Sequence, residues 1–171
     1  MSALIDATGQ IDDAYSFADD AAALSSAERP VLVPLALLSE ALAGGANAPV
    51  GVLVPNRTKV EDLVPHFAAV SLIAIEFPGF SDGTGLSLAR RLRREGFAGR
   101  LRARGPLVAD QFAEALACGF DEVELPDASA ARQPVEQWLA AKDSISAHYQ
   151  TGYGEDRSIL QRRLDARRSA A

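Results

Sequence analysis

The chain has 171 residues, 48% of them apolar and 23% charged, with a net charge of −6. That is the size of one domain, with enough apolar content to bury a core unaided, and the negative balance argues against nucleic acid as a partner, because phosphate contacts need a basic surface. No run of about 18 apolar residues is present to span a membrane as a helix, and a single cysteine, Cys118, leaves no disulfide to form within the chain.

A reducing, cytoplasmic setting is therefore expected. Met1 to Asp6 shows no basic region ahead of an apolar run, so no secretory signal is expected either. His66 and His148 are far apart and have no cysteine at ligand spacing, so no metal site is expected. The charge is uneven. Met1 to Glu28 carries acids and no base, whereas Ser87 to Arg104 carries Arg90, Arg91, Arg93, Arg94, Arg100, Arg102 and Arg104 against the single acid Glu95. A stretch of that kind is either a solvated helix face or a seat for an anion or acidic partner.

In chain order, residues 1–29 read as a loosely ordered acidic lead-in, with a short edge strand near Tyr15-Ser16-Phe17. Residues 30–150 read as one α/β domain, and 151–171 as a polar, Arg-rich tail. Pro30 to Leu35 is a β-branched run followed by a helical stretch to Leu42, which Gly44-Gly45-Ala46-Asn47 ends. Val50 to Val54 predicts a buried strand, and Val60 to Val70 a helix with Val60, Leu63, Val64 and Phe67 at helical spacing. Leu72 to Phe77 predicts a strand, and Pro78 to Gly85 a glycine-rich loop. Ser87 to Glu95 predicts a helix stopped by Gly96, and Gly99 to Arg104 a strand. Pro106 stands where a first helical residue would, ahead of an apolar stripe that Gly119 closes. Asp121 to Leu125 predicts a strand, and Pro134 opens a last helix with Val135, Trp138 and Leu139. Strands alternating with helices at this spacing make successive βα units and a mainly parallel sheet.

Side chains alternate across a strand, so each strand shows both sheet faces. Leu101 and Ala103 share one face; Arg100, Arg102 and Arg104 share the other. Val123 and Leu125 oppose Glu122 and Glu124, and Ile73, Ile75 and Phe77 oppose Leu72, Ala74 and Glu76. A sheet covered on both sides has near-continuous apolar strands. These alternate instead, which places helices on one face and charges on the other, the layout of a partial, half β/α barrel. A flavodoxin-like three-layer sandwich is the alternative. Opposite charges on neighbouring strands stabilise each other, and the same face also suits a small oxyanion or a partner surface.

Ligands bind at the carboxyl ends of parallel strands. Four loops should meet there: Pro55-Asn56-Arg57, Pro78 to Gly85, Gly105-Pro106 and Pro126-Asp127. The second holds Asp82, Gly83 and Gly85 ahead of Ser87, and its free N–H groups would favour an anion. It lacks the third glycine of a dinucleotide fingerprint and the Gly-Lys-Ser/Thr of a P-loop. The plainer reading is a tight turn with Asp82 or Ser87 capping the helix. Candidate catalytic groups are Glu76, Asp82 and Gln111; candidate ligand-binding groups are Gly83, Gly85, Ser87, Arg102, Arg104 and Asp110. Neither a nucleophile–base set nor a flavin, haem or iron–sulfur motif is evident. Cys118, at a helix end beside Gly119, reads as a packed residue.

Taken together, Phe77-Pro-x-Phe80-x-Asp82-Gly83-x-Gly85-x-Ser87, Leu92-Arg93, Gly99-x-Leu101-Arg102-Ala103-x-Gly105, Asp110-Gln111 and Cys118-Gly119-Phe120-Asp121 resemble the signature of the bacterial domain-of-unknown-function family 934. The resemblance runs from about Val31 to Gln150. It departs from the family pattern at Thr84, where Arg is usual, at Leu86, where an aromatic is usual, and at Pro106, often Asp. The missing loop arginine leaves Arg102 as the better-matched cation. The family carries the label of an oxidoreductase of sulfite reduction, through association with assimilatory sulfite reductase genes. The resemblance implies an accessory protein of sulfur assimilation, with sulfite reductase or another protein of that process as partner. A small enzyme with a strand-end site is the alternative, and a homodimer joined through two open barrel faces is a further expectation.

Overall fold

The computed structural model describes residues 2–28, 30–44 and 49–142. Eight strands form one sheet: β1 (Ala3–Asp6), β2 (Gly9–Ile11), β3 (Ser16–Phe17), β4 (Val31–Pro34), β5 (Val50–Pro55), β6 (Leu72–Glu76), β7 (Arg100–Arg104) and β8 (Glu122–Leu125). Their order across the sheet is β2-β1-β8-β7-β6-β5-β4-β3. From β3 to β8 each strand adds in parallel beside its predecessor, and β1 and β2 close the β8 side in antiparallel fashion. Helices α1 (Ala21–Ser26), α2 (Leu38–Ala43), α3 (Val60–Leu63), α4 (Thr84–Arg94), α5 (Phe112–Ala117), α6 (Asp127–Ala130) and α7 (Val135–Lys142) fill the crossovers and the end of the described chain. An order that never reverses puts every crossover on the same face, so the fold is the partial β/α barrel and not the three-layer sandwich.

The predicted alternation holds. Val52, Val54, Ile73, Ile75, Leu101, Ala103, Val123 and Leu125 pack with Leu38, Leu63, Leu92, Phe112 and Trp138 in the main core. Leu32, Leu53, Leu72 and Ala74 point the other way and form a smaller cluster with Tyr15. On that inner face Arg102, Glu122 and Glu124 are also buried.

The sheet is curled, and the chain itself requires it. β2 and β3 sit at opposite edges, yet only residues 12–15 join them. Seven flat strand spacings would separate those edges by about 34 Å, whereas the link from Ile11 to Ser16 reaches roughly 18 Å. Residues 12–15 therefore cross the open side like the chord of an arc. Tyr15 Oη meets Ser71 Oγ at 2.8 Å beneath it.

The sheet's other end is tied by Arg93, one of the helical arginines. Its guanidinium donates to the carbonyls of Gly119, Phe97 and Gly99 at 2.7–3.0 Å and to Asp121 at 2.8 Å. Asp121 in turn accepts the Leu101 N–H at 2.7 Å. Arg91 faces outward, in an exposed pair with Glu61.

Several local expectations need correction. Within the stretch expected as a lead-in, residues 2–28 carry β1, β2 and α1 as well as the expected edge strand β3. Asp6 Oδ1 accepts the N–H groups of Thr8 (2.7 Å) and Gly9 (3.1 Å), which closes the β1–β2 hairpin. The helix expected over 60–70 breaks after Leu63, because Pro65 forces a tighter turn and offers no N–H. α4 starts at Thr84, so Gly85 is helical and not a loop residue. Pro106 lies in a turn; the helical path resumes only at Ala109. The predicted tail, 151–171, lies outside the described residues.

Candidate functional site at the strand ends

The inner face carries a ladder of ions built by neighbouring strands. Register pairs Arg102 with Glu122 and Arg104 with Glu124. Arg102 Nε donates to Glu122 Oε1 at 2.7 Å and its Nη1 to Glu124 Oε2 at 3.0 Å. Asp13, on the crossing segment, takes the fork end of the same guanidinium with both oxygens, at 2.7 and 2.8 Å. Arg104 Nε lies 3.1 Å from Glu124 Oε1. Glu122 Oε2 accepts no hydrogen bond among the described residues and is matched by charge alone, from Arg100. Three arginines thus balance three carboxylates. The surrounding carboxylates hold the Arg102 pKa above its already high value in spite of burial, so this side chain is charged at every accessible pH.

Arg102 is consequently a filled cation, with Asp13 where an external anion would sit. Burial alone would raise the Asp13 carboxyl; the Arg102 hydrogen bond, the Tyr15 N–H and the charges of Arg102 and Arg104 outweigh it and hold the group below the usual range. Its stabilising contribution is therefore complete above the unfolded value, about pH 4, and is lost as the pH falls through the lower folded value. Asp13→Asn should accordingly flatten the fall of stability with pH below about 4, as read by denaturant unfolding across a pH series. An unchanged slope would assign the acid sensitivity to another carboxylate.

Above the ladder, at the carboxyl ends of the strands, lies an open cleft of about 580 Å³. All four expected loops reach it, through Pro55 and Asn56, Pro78, Gly105, and Pro126. Phe17, Leu53 and Phe77 supply apolar wall, and Glu76, Arg104 and Glu124 the charges. The Arg104 guanidinium stacks 4.6 Å over the Phe17 ring. Its terminal nitrogens have no hydrogen-bond or ion partner among the described residues. Glu76 is exposed and, although it is the register partner of Arg104, makes no ion pair among the described residues.

Of the sequence candidates, then, Glu76 and Arg104 share the cleft, and Arg102 lies below it. Asp82 does not line it: Oδ1 accepts the Thr84 N–H at 2.9 Å at the start of α4, and Oδ2 accepts from Asn56 Nδ2 at 2.9 Å. The Thr84 hydroxyl, with the Thr84 N–H and the Asn56 amide, holds the Asp82 carboxyl below its usual pKa. Gln111 ties two loops together, donating to the Phe80 carbonyl at 2.7 Å and accepting the Val108 N–H at 3.1 Å. Ser87 and Asp110 are exposed on their helical turns. Gly83 has an ordinary φ of −77°. Gly85 is required by packing, since a Cβ there would meet the Phe77 ring at 2.4 Å. Cys118 is buried, and burial pushes its thiol up in pKa, away from reactivity.

Sequence reasoning missed Asp13 and Phe17. Their signal was the complementary charge of the two segments, an acidic stretch without bases and an arginine stretch almost without acids. Among the described residues no cluster of His, Cys, Asp and Glu is arranged to hold a metal, and no helix is long and apolar enough to cross a membrane.

A family model described as "Bacterial protein of unknown function (DUF934)" matches residues 51–160, more than half of the chain. Neither a curated protein nor a solved structure matches it.

Proposed function

Because the chain belongs to the DUF934 family, we propose that it is an accessory protein of assimilatory sulfite reduction that works by binding, with the strand-end cleft as its site. The observation that carries this reading is Arg104, which lines an open cleft with its terminal nitrogens unpaired among the described residues. Guanidinium N–H groups in a fixed fork suit a small oxyanion or an anionic group on a docking protein. Binding is favoured over a strand-end enzyme because Asp82 and Gln111 are committed to loop and helix contacts, and Arg102 to three carboxylates. The link to sulfur assimilation rests on the family resemblance.

Two measurements test it. Sulfite reductase should co-purify with the tagged protein, and its activity should fall in a deletion strain and return with the wild-type gene but not with Arg104→Gln. Unchanged activity together with no complex would remove the sulfur-assimilation role.

A further inference from the structure

Glu76 and Arg104 are direct neighbours on adjacent parallel strands, where opposite charges ordinarily pair. Here they do not. Arg104 leans to the other side, toward Glu124 on β8 and onto the Phe17 ring. Glu76, without an ion pair among the described residues, and the Arg104 terminal nitrogens, likewise without a partner among them, line one cleft with Glu124, and its remaining wall is largely proline, leucine and phenylalanine. The fold thus presents a carboxylate and a guanidinium edge to the same space, from residues whose backbones lie one strand step apart, about 4.8 Å.

We propose that the cleft binds a small zwitterion, an oxyanion joined by a short carbon chain to an ammonium group. The oxyanion sits on the Arg104 terminal nitrogens, the ammonium on Glu76, and the chain against Phe17, Leu53 and Phe77. This rests on the reading of the cleft as a binding site and adds the class of ligand. A simple inorganic anion satisfies Arg104 but leaves Glu76 unmatched and repelled, and a simple amine does the reverse. Only a molecule with both charges matches both ends of the cleft. At about 580 Å³ the space lies within the range of small-molecule sites.

Matched probes isolate the ammonium. Taurine and ethanesulfonate differ chiefly in that group, as do β-alanine and propionate, and the two pairs distinguish a sulfonate from a carboxylate ligand. By calorimetric titration, the zwitterion of at least one pair should bind about tenfold tighter than its partner, the worth of one charge-assisted contact. Glu76→Gln should abolish that preference, weakening the zwitterion while the simple anion, freed of repulsion from Glu76, binds as well or better. Glu76 is exposed, so its substitution leaves the fold intact, as a thermal melt will verify. Arg104→Lys, which keeps the charge but loses the fork, should weaken every probe. Equal binding of taurine and ethanesulfonate, and of β-alanine and propionate, would overturn the zwitterion while leaving an anion-binding cleft. No binding of any probe, sulfite included, would overturn both.

Discussion

Arg102→Met should lower the stability of the protein by about 3–5 kcal/mol, a large fraction of the whole stability of an ordinary domain. Glu122 is only 1% exposed and Glu124 6%. Removing the guanidinium takes a hydrogen bond from each and frees Asp13. Arg100 and Arg104 remain, but each reaches only the outer oxygen of one glutamate. Two buried carboxylates then sit side by side without their shared cation. The cost of breaking such a network comes mainly from the charges left behind. Adding Glu122→Gln and Glu124→Gln to Arg102→Met should therefore recover a large part of the loss. Arg102→Lys should fall between, because one ammonium cannot meet three carboxylates in the geometry of a planar fork. Urea unfolding of the four proteins makes the comparison. A loss below about 1 kcal/mol for Arg102→Met would place this ladder among surface ion pairs.

Gly105→Ala should cost about 3 kcal/mol, the sum of backbone strain and overpacking, and should close the cleft as well. Gly105 has a φ of +148°, and a Cβ built on it falls 2.2 Å from the Phe77 carbonyl oxygen. Backbone cannot yield as a side-chain tip can. Phe77 N–H donates to the Arg104 carbonyl at 2.7 Å, and Gly105 N–H to that of Glu124 at 3.0 Å. These bonds hold together the ends of β6, β7 and β8, where Phe77, Arg104 and Glu124 line the cleft. Forcing them apart should abolish ligand binding even in whatever fraction stays folded. Gly83→Ala is the contrast: φ is −77° and the nearest atom lies 3.9 Å away. It should change stability by no more than about 0.5 kcal/mol. If the two substitutions had the same effect, the close approach to Phe77 would not be what selects glycine at 105.

The contrast also explains why one part of the site was readable in the sequence and another was not. Alternation along Arg100 to Arg104 and Glu122 to Leu125 reported both sheet faces correctly, because side-chain direction in a strand is a local property. The four loops at the strand ends were equally legible, since parallel strands all end on the same side. The glycine-rich segment misled: Gly83 and Gly85 look like a phosphate cradle in one dimension, but Gly85 is set by a phenylalanine eight residues earlier. Asp82 and Gln111 were singled out as polar groups near strand ends. Both are consumed by backbone N–H and carbonyl groups, whose demand is invisible until the loops are placed. β1 and β2, with four and three residues, are too short to show a period. The place of β1 beside β8, and of β2 beyond it, is decided by a partner more than a hundred residues away.

That distance governs how the molecule is made. β1 pairs residues 3–6 with 122–125, and Asp13 meets Arg102 across 89 positions. During vectorial synthesis the first strands emerge long before the edge they will join exists. β3 through β7 can assemble stepwise from neighbours, each new βα unit resting on the last, while the amino-terminal hairpin waits. Contacts of such high sequence separation close the largest loop in the chain and set the slow end of the folding rate. Until they form, the three arginines of β7 face solvent without Asp13 or the β8 glutamates, and the nascent chain is locally basic although the finished protein is acidic.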